Sequence, residues 1–193
     1  MDKLILHTYQ SKQAVKILHE QGVLYLSEAE RSYTYLGQYD GQDHNPFDSA
    51  YGFMVHEMKR LLPPPTHECA YPLWAWYKCN GRYKPSRGLD KIHSGKIRLK
   101  VAIEPRKALL SDFDRFAYLT VGGAYFAFDE KQRSEFEKHL FEPDEYFYPN
   151  WREQVFSLHR KSEDEYGPSY RNETIQATFW ELYLEDVLEE VEV

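Results

Sequence analysis

The sequence predicts an α+β fold: a single domain over residues 1–193, with a mostly antiparallel or split mixed sheet and four to five flanking helices. Three observations predict it. Period-2 alternation of apolar and polar residues recurs at 4–9, 71–77, 96–103 and 174–183, which marks strands. Stretches at helical spacing, bounded by capping residues, glycine or proline, lie between them. A length of 193 residues with 42% hydrophobic and 16% aromatic content suits one core.

Taken in order, Leu4, Leu6 and Thr8 alternate with Ile5, His7 and Tyr9, which reads as a strand buried on both faces. Ser11 offers an N-cap, Ala14, Val15, Ile17 and Leu18 make a helical stripe, and Gly22 supplies a left-handed stop. Val23-Leu24-Tyr25-Leu26 is the next strand, 31–35 a further short one, and 37–45 a polar loop. Asn45-Pro46 looks like a helix start, and Phe47, Tyr51, Met54, Met58 and Leu61 continue it to Leu62, where Pro63-Pro64-Pro65 ends it. That stripe reads as core.

The stretch Tyr71-Pro72-Leu73-Trp74-Ala75-Trp76-Tyr77 places four rings in seven residues. Strand geometry sends Leu73, Ala75 and Tyr77 one way and both indoles the other, as core or as the floor of a cleft. A loop rich in Gly, Pro and Arg follows over 78–95. The strand after it points Ile97, Leu99, Val101 and Ile103 inward and Lys96, Arg98 and Lys100 to solvent. Ser111-Asp112-Phe113-Asp114 reads as a capping box with Ser111 as cap; with no third acid nearby, the two aspartates are better explained by capping than by a metal ion. Helices are expected over 129–140 and 149–158, and a polar, turn-rich loop over 162–172. The alternation at 174–183 puts Ile175, Ala177, Phe179 and Glu181 on one face and Gln176, Thr178, Trp180 and Leu182 on the other. Val187, Leu188, Val191 and Val193 suggest a closing segment.

Composition narrows the function classes. A mean hydropathy of −0.70 and 28% charged residues fit a soluble chain. No apolar run approaches the roughly 18 residues of a membrane span, and the first residues enter a strand without a leader-like segment. A cytoplasmic location is expected, with Cys69 and Cys79 as thiols and no structural zinc set. The net charge of −7 argues against broad nucleic-acid binding, although 82–100 forms one basic stretch. The acidic surplus lies mostly after residue 128.

No triad, phosphate loop, paired-cysteine site or dinucleotide fingerprint is present. What remains is a group of polar residues on strands expected to be buried: Thr8, Gln10, Gln176, Thr178 and Glu181, beside Trp74 and Trp76. Each could simply satisfy a neighbouring backbone group. Together they would also make an aromatic cleft with a few well-placed polar contacts.

Thr8-Tyr9-Gln10-Ser11, the 71–77 strand, Leu110-Ser111-Asp112-Phe113-Asp114 and Gln176-Ala177-Thr178-Phe179-Trp180-Glu181 resemble an uncharacterised bacterial and phage family known only as a domain of unknown function. That resemblance covers nearly the whole chain and implies no activity. The opening strand and helix, with Ala14, Ile17, Leu18 and Gly22, also resemble the ADP-ribosyltransferase fold. Laid over its His-x-Thr-Ser start, Thr8 stands at the His, Gln10 at the Thr and Ser11 at the Ser. The His is replaced, and His7 lies on the opposite strand face.

This second resemblance implies NAD+ as co-substrate, lying across a split in the sheet, and an unknown macromolecular acceptor. It implies that the nicotinamide stacks on Trp76 or Tyr77, with Thr8 or Gln10 holding its carboxamide and Arg82 or Arg87 pairing with the diphosphate. Gln176 and Thr178 add cofactor contacts, and Glu181 steadies the charge developing on the ribose. The competing expectation is a non-catalytic module that binds a protein partner or a small ligand in an aromatic cage, consistent with 16 tyrosines. A third is a nucleic-acid reader that stacks bases on Trp74 and Trp76 beside Arg82, Arg87 and Arg98.

Overall fold

Alternation at the start of the chain forms β1 (Leu4–Gln10), and Ser11 then begins α1 (Lys12–Gln21) by accepting the Ala14 N–H at 3.0 Å. Gly22, at φ 77°, ends this helix in left-handed geometry, and its N–H bonds the Leu18 carbonyl. The short strand β2 (Val23–Tyr25) follows. The computed structural model describes residues 2–34, 37, 45, 47–120, 126, 130–139, 142–158 and 173–193. Within these come α2 (Asp48–Leu61), β3 (Leu73–Lys78), α3 (Arg87–Ile92), β4 (Ile97–Ile103), β5 (Leu109–Asp112) and α4 (Phe113–Thr120). After them come α5 (Glu130–Glu137), α6 (Asp144–Val155), β6 (Ile175–Phe179), β7 (Glu181–Tyr183) and β8 (Val187–Glu192).

The fold is α+β. Six strands form one antiparallel sheet in the order β5-β6-β3-β1-β4-β8, while β2 and β7 pair in a second, two-stranded sheet. Paired residues of antiparallel strands share a face. One transverse row therefore crosses all six strands: Ser111, Gln176, Trp76, His7, Lys100 and Glu189. The sheet is weakest at its centre, where β1 and β3 share the single pair His7–Trp76. Beside that pair the Thr8 hydroxyl donates to the Trp74 carbonyl at 2.7 Å, a side chain standing in for a ladder bond.

Two cores result. Leu6, Leu73, Ala75, Leu99, Val101, Ala177 and Phe179 pack on α1 through Val15 and Leu18, and on Leu24 and Leu182 of the small sheet. The other face carries α2, α4 and α6, packed through Tyr51, Phe53, Met54, Phe116 and Trp151, with Trp74 against them. At the far side of that same face, α3 is tied down by Asp90, which accepts bonds from Tyr9 Oη (2.6 Å) and Arg98 Nη1 (2.6 and 2.5 Å). The expected facing of β3 and β4 holds. Arg98, however, is not on a wet face: α3 covers it, leaving 13% of its side chain exposed.

Several expectations are corrected. Six helices occur among the described residues rather than four to five, because α3 forms inside the expected 78–95 loop once Ser86 caps it through the Leu89 N–H. Residues 31–34 of the expected 31–35 strand are not a strand, and Tyr35 lies outside the described residues; a 3₁₀ helix runs Glu28–Tyr33, started by a reciprocal capping box between Ser27 and Glu30. Ser111 is a buried strand residue, and the cap of α4 is Asp112, which accepts the Arg115 N–H at 2.9 Å. α2 begins at Asp48, and α6 begins at Asp144 after extended Pro143, so that Pro149 sits inside the helix. The expected strand over 174–183 breaks at Trp180, which joins the helical core while Leu182 rejoins Phe179 in the other. The expected loops over 37–45 and 162–172 lie outside the described residues, apart from Gly37 and Asn45.

Candidate functional site

A cleft of about 500 Å³ opens on the helical face, between the α2/α4 layer and the segment that carries α3. Its floor is the split between β1 and β3: Thr8 and Gln10 from one strand, Trp74 and Trp76 from the other, and Gln176 from β6. Alternation explains this set, since Trp74, Trp76 and Gln176 share the face that pairing assigns them. Thr8 and Gln10 belong to the opposite face and reach the cleft because the strands part there. Their side chains form a short relay, Gln10 Nε2 to Thr8 Oγ1 (2.7 Å) and on to the Trp74 carbonyl.

The walls are rings. Phe113 lies edge-on to Trp76, with centroids 4.9 Å apart, and Phe116 lies against Trp74 at 4.8 Å. Tyr51 of α2 meets Trp74 at 5.5 Å. On the far side His93 stacks on Tyr9 at 4.2 Å, and Lys96 completes that rim. Burial raises the Tyr9 phenol well above its usual range, and its bond to Asp90 raises it further. Burial also lowers His93, with the Lys96 charge adding to it, so the imidazole facing the cleft is neutral at pH 7.

The cleft floor contains an unmet need. Gln176 is 5% exposed, and among the described residues its amide nitrogen has no hydrogen-bond partner; the same holds for Trp74 Nε1. Ser111 Oγ and His7 Nδ1, in the same transverse row as Gln176, are likewise buried without partners. Leaving such a group unpaired costs about 1–3 kcal/mol, so a cluster of them is not explained by packing alone.

The structure brings together Thr8, Gln10, Trp76 and Gln176 of the residues singled out from sequence. It does not bring the others there. Tyr77 faces the opposite core and meets Tyr83 edge-on at 5.2 Å. Thr178 lies under α2, its hydroxyl 3.5 Å from Met54 Sδ. Arg87 starts α3 on the outside and is exposed, as is Arg82. Glu181 belongs to the small sheet, where its Oε1 accepts the Thr66 and His67 N–H groups (3.0 and 2.9 Å) and contacts His67 Nδ1 at 2.6 Å. Burial pushes the Glu181 carboxyl upward, but these bonds outweigh it and hold the group below its ordinary range. Among the described residues lining the cleft there is no carboxylate.

Sequence reasoning missed His93 and Lys96 as lining residues. Lys96 carried the signal of a solvent face, and His93 sat in an expected loop. What places them is the Asp90 clamp, a contact between residues 81 and 8 positions apart in the chain that no local pattern reveals. Among the described residues no three His, Cys, Asp or Glu side chains converge as a metal site. None of the described helices is long and apolar enough to cross a membrane.

Fold and site together define an α+β domain with a ring-walled cleft at the split of a six-stranded antiparallel sheet. The chain belongs to the family described as "Domain of unknown function (DUF3841)", whose model matches residues 5–188. No curated protein and no solved structure matches it significantly. Family membership brings no activity with it, and these comparisons add nothing to the ADP-ribosyltransferase resemblance.

Proposed function

We propose that this domain is a small-ligand-binding module whose cleft takes a planar, hydrogen-bonding ring. One observation carries the reading: the buried Gln176 amide nitrogen, without a partner among the described residues, at the floor of a cleft walled by Trp74, Trp76, Phe113 and Phe116. A flat ring would fill the apolar space and give the amide its partner, the division of labour usual in ligand pockets. Rotation about the last side-chain torsion of Gln176, which is soft, turns the amide toward such a ring. Free thiols at Cys69 and Cys79 fit a reducing, cytoplasmic setting.

NAD+ is the ligand that the transferase resemblance supplies, through its nicotinamide. The transfer step itself rests on that resemblance alone, since Glu181 is engaged by the Thr66 and His67 groups. Calorimetric titration with NAD+, followed by a nicotinamide-release assay, tests both parts. Binding without release supports the binding module. Release that falls in Glu181→Gln would restore the transferase reading, and failure of NAD+ and free nicotinamide alike to bind would count against a nicotinamide site.

A further inference from the structure

The cleft has a charged side as well as an aromatic one. Lys96 is the one Lys or Arg among the described lining residues, and it faces no acid there. Between residues 78 and 100 the chain carries eight Lys and Arg against a single acid, Asp90, although its overall charge is −7; of the eight, Lys78 pairs with Glu173 and Lys100 stands across the β4–β8 ladder from Glu189. Asp90 offsets little of this outward, because Arg98 and Tyr9 already occupy its carboxylate. Arg82, Lys84, Arg87, Lys91 and Lys96 are all exposed.

The positive field reaches the buried groups nearby. His7 is held below the ordinary histidine range, first by burial and then by Arg98, Lys100 and Lys84, against an opposing pull from Glu189; His93 is lowered by burial and then by Lys96, against Asp90. Both imidazoles are neutral at pH 7, so the charge at the cleft mouth comes from groups that stay protonated. The unpartnered amide of Gln176 sits at the floor beneath.

Resting on the reading that the cleft takes a planar ring, we infer that its ligand is a nucleotide, with the base inward beside Gln176 and the Trp74 and Trp76 indoles, and the phosphate at the Lys96 rim. A base supplies the flat face and the edge that the amide lacks. A phosphate supplies the anion that Lys96 at the rim is placed to receive, as an exposed and salt-sensitive attraction.

The test compares uridine with UMP and adenosine with AMP by calorimetry at low salt, on the wild type and on Lys96→Ala. Lys96 is exposed, so its replacement leaves the fold intact. For at least one pair the nucleotide should bind about tenfold more tightly than its nucleoside, a gap that shrinks as salt rises. Lys96→Ala should close the gap while leaving nucleoside affinity unchanged. Equal binding of nucleoside and nucleotide, or a gap that survives Lys96→Ala, overturns the inference while the ring-binding reading stands. Absence of binding by both pairs also overturns it; nicotinamide binding to the same protein then shows that the ring-binding reading survives.

Discussion

Gln176 stands directly across the β3–β6 ladder from Trp76, so an amide nitrogen without a partner among the described residues and an indole at the cleft floor share one face of the sheet. His7 continues that row on the next strand, also with an unpartnered ring nitrogen. Among the described residues, three of the four buried side-chain groups without a partner, on Ser111, Gln176 and His7, lie along one line that crosses the split between β1 and β3, and the fourth, Trp74 Nε1, lies beside it. That coincidence is the physical basis for placing a ligand there.

The wall bearing His93 and Lys96 depends on Asp90. Tyr9→Phe keeps the ring stacked on His93 but removes the hydroxyl that donates to Asp90, which should cost about 1 kcal/mol, or about 2–4 °C in Tm for a domain of this size. Hydrogen exchange should quicken at 87–93 more than in β6. A melting loss with unchanged exchange at 87–93 would mean that α3 is held by something other than this clamp.

Glu57 is fully buried between α2 and α6, where Arg152 and Arg60 both bond its carboxylate. Burial favours its neutral form, but the two guanidinium groups outweigh this and lower its pKa. Arg152→Met should therefore destabilise more than Glu57→Met. The first strands part of a buried charge, while the second frees two arginines, 35% and 46% exposed, to turn to water. About 2 kcal/mol is expected for Arg152→Met after allowing for that exposure. The depressed carboxyl contributes stability above about pH 4.5 that is lost as pH falls through its folded value. Urea melts of both variants check the order, and the reverse order would contradict it.

His7 and His93 set the response to mild acid. Both have folded pKa values lowered from about 6.5, mainly by burial, so the unfolded chain binds their protons first. Their contribution is fully present above about pH 6.5 and is lost on acidification. Tm should fall between pH 7.5 and pH 5.5, and His7→Leu should flatten part of that slope. An unchanged slope would show that His7 protonates as freely in the folded state as in the unfolded one.

Legibility from sequence followed locality. β1, α1 and the Gly22 stop are written in a cap, a stripe and a glycine, each decided within a few residues. The facing of Trp74 against Leu73 and Ala75 followed from period-2 geometry, which pairing preserved. The same geometry misplaced Glu181, because one break at Trp180 hands the chain to the second sheet, and alternation assumes an unbroken strand. Asp112 displaced Ser111 as helix cap because β5 runs one residue further than the capping motif suggests. Thr8, Gln10, Trp76 and Gln176 were legible as buried polar or aromatic strand residues. Arg87 was legible only as a loop residue, since the position of α3, which it opens, depends on Asp90 reaching Arg98 and Tyr9.

Gln176→Met tests the cleft most directly. Following indole emission and thermal melting of the wild type and this variant, with and without NAD+, UMP and AMP, measures binding and stability on the same samples. Methionine of similar volume replaces an amide whose buried nitrogen has no partner among the described residues, so the unliganded variant should melt no lower than the wild type. Its ligand affinity should drop at least about tenfold, the loss of one buried hydrogen bond to a ring. A variant that binds as well as the wild type, or one destabilised by about 1–3 kcal/mol without ligand, would show that the amide is a satisfied structural group and that the cleft is not built around it.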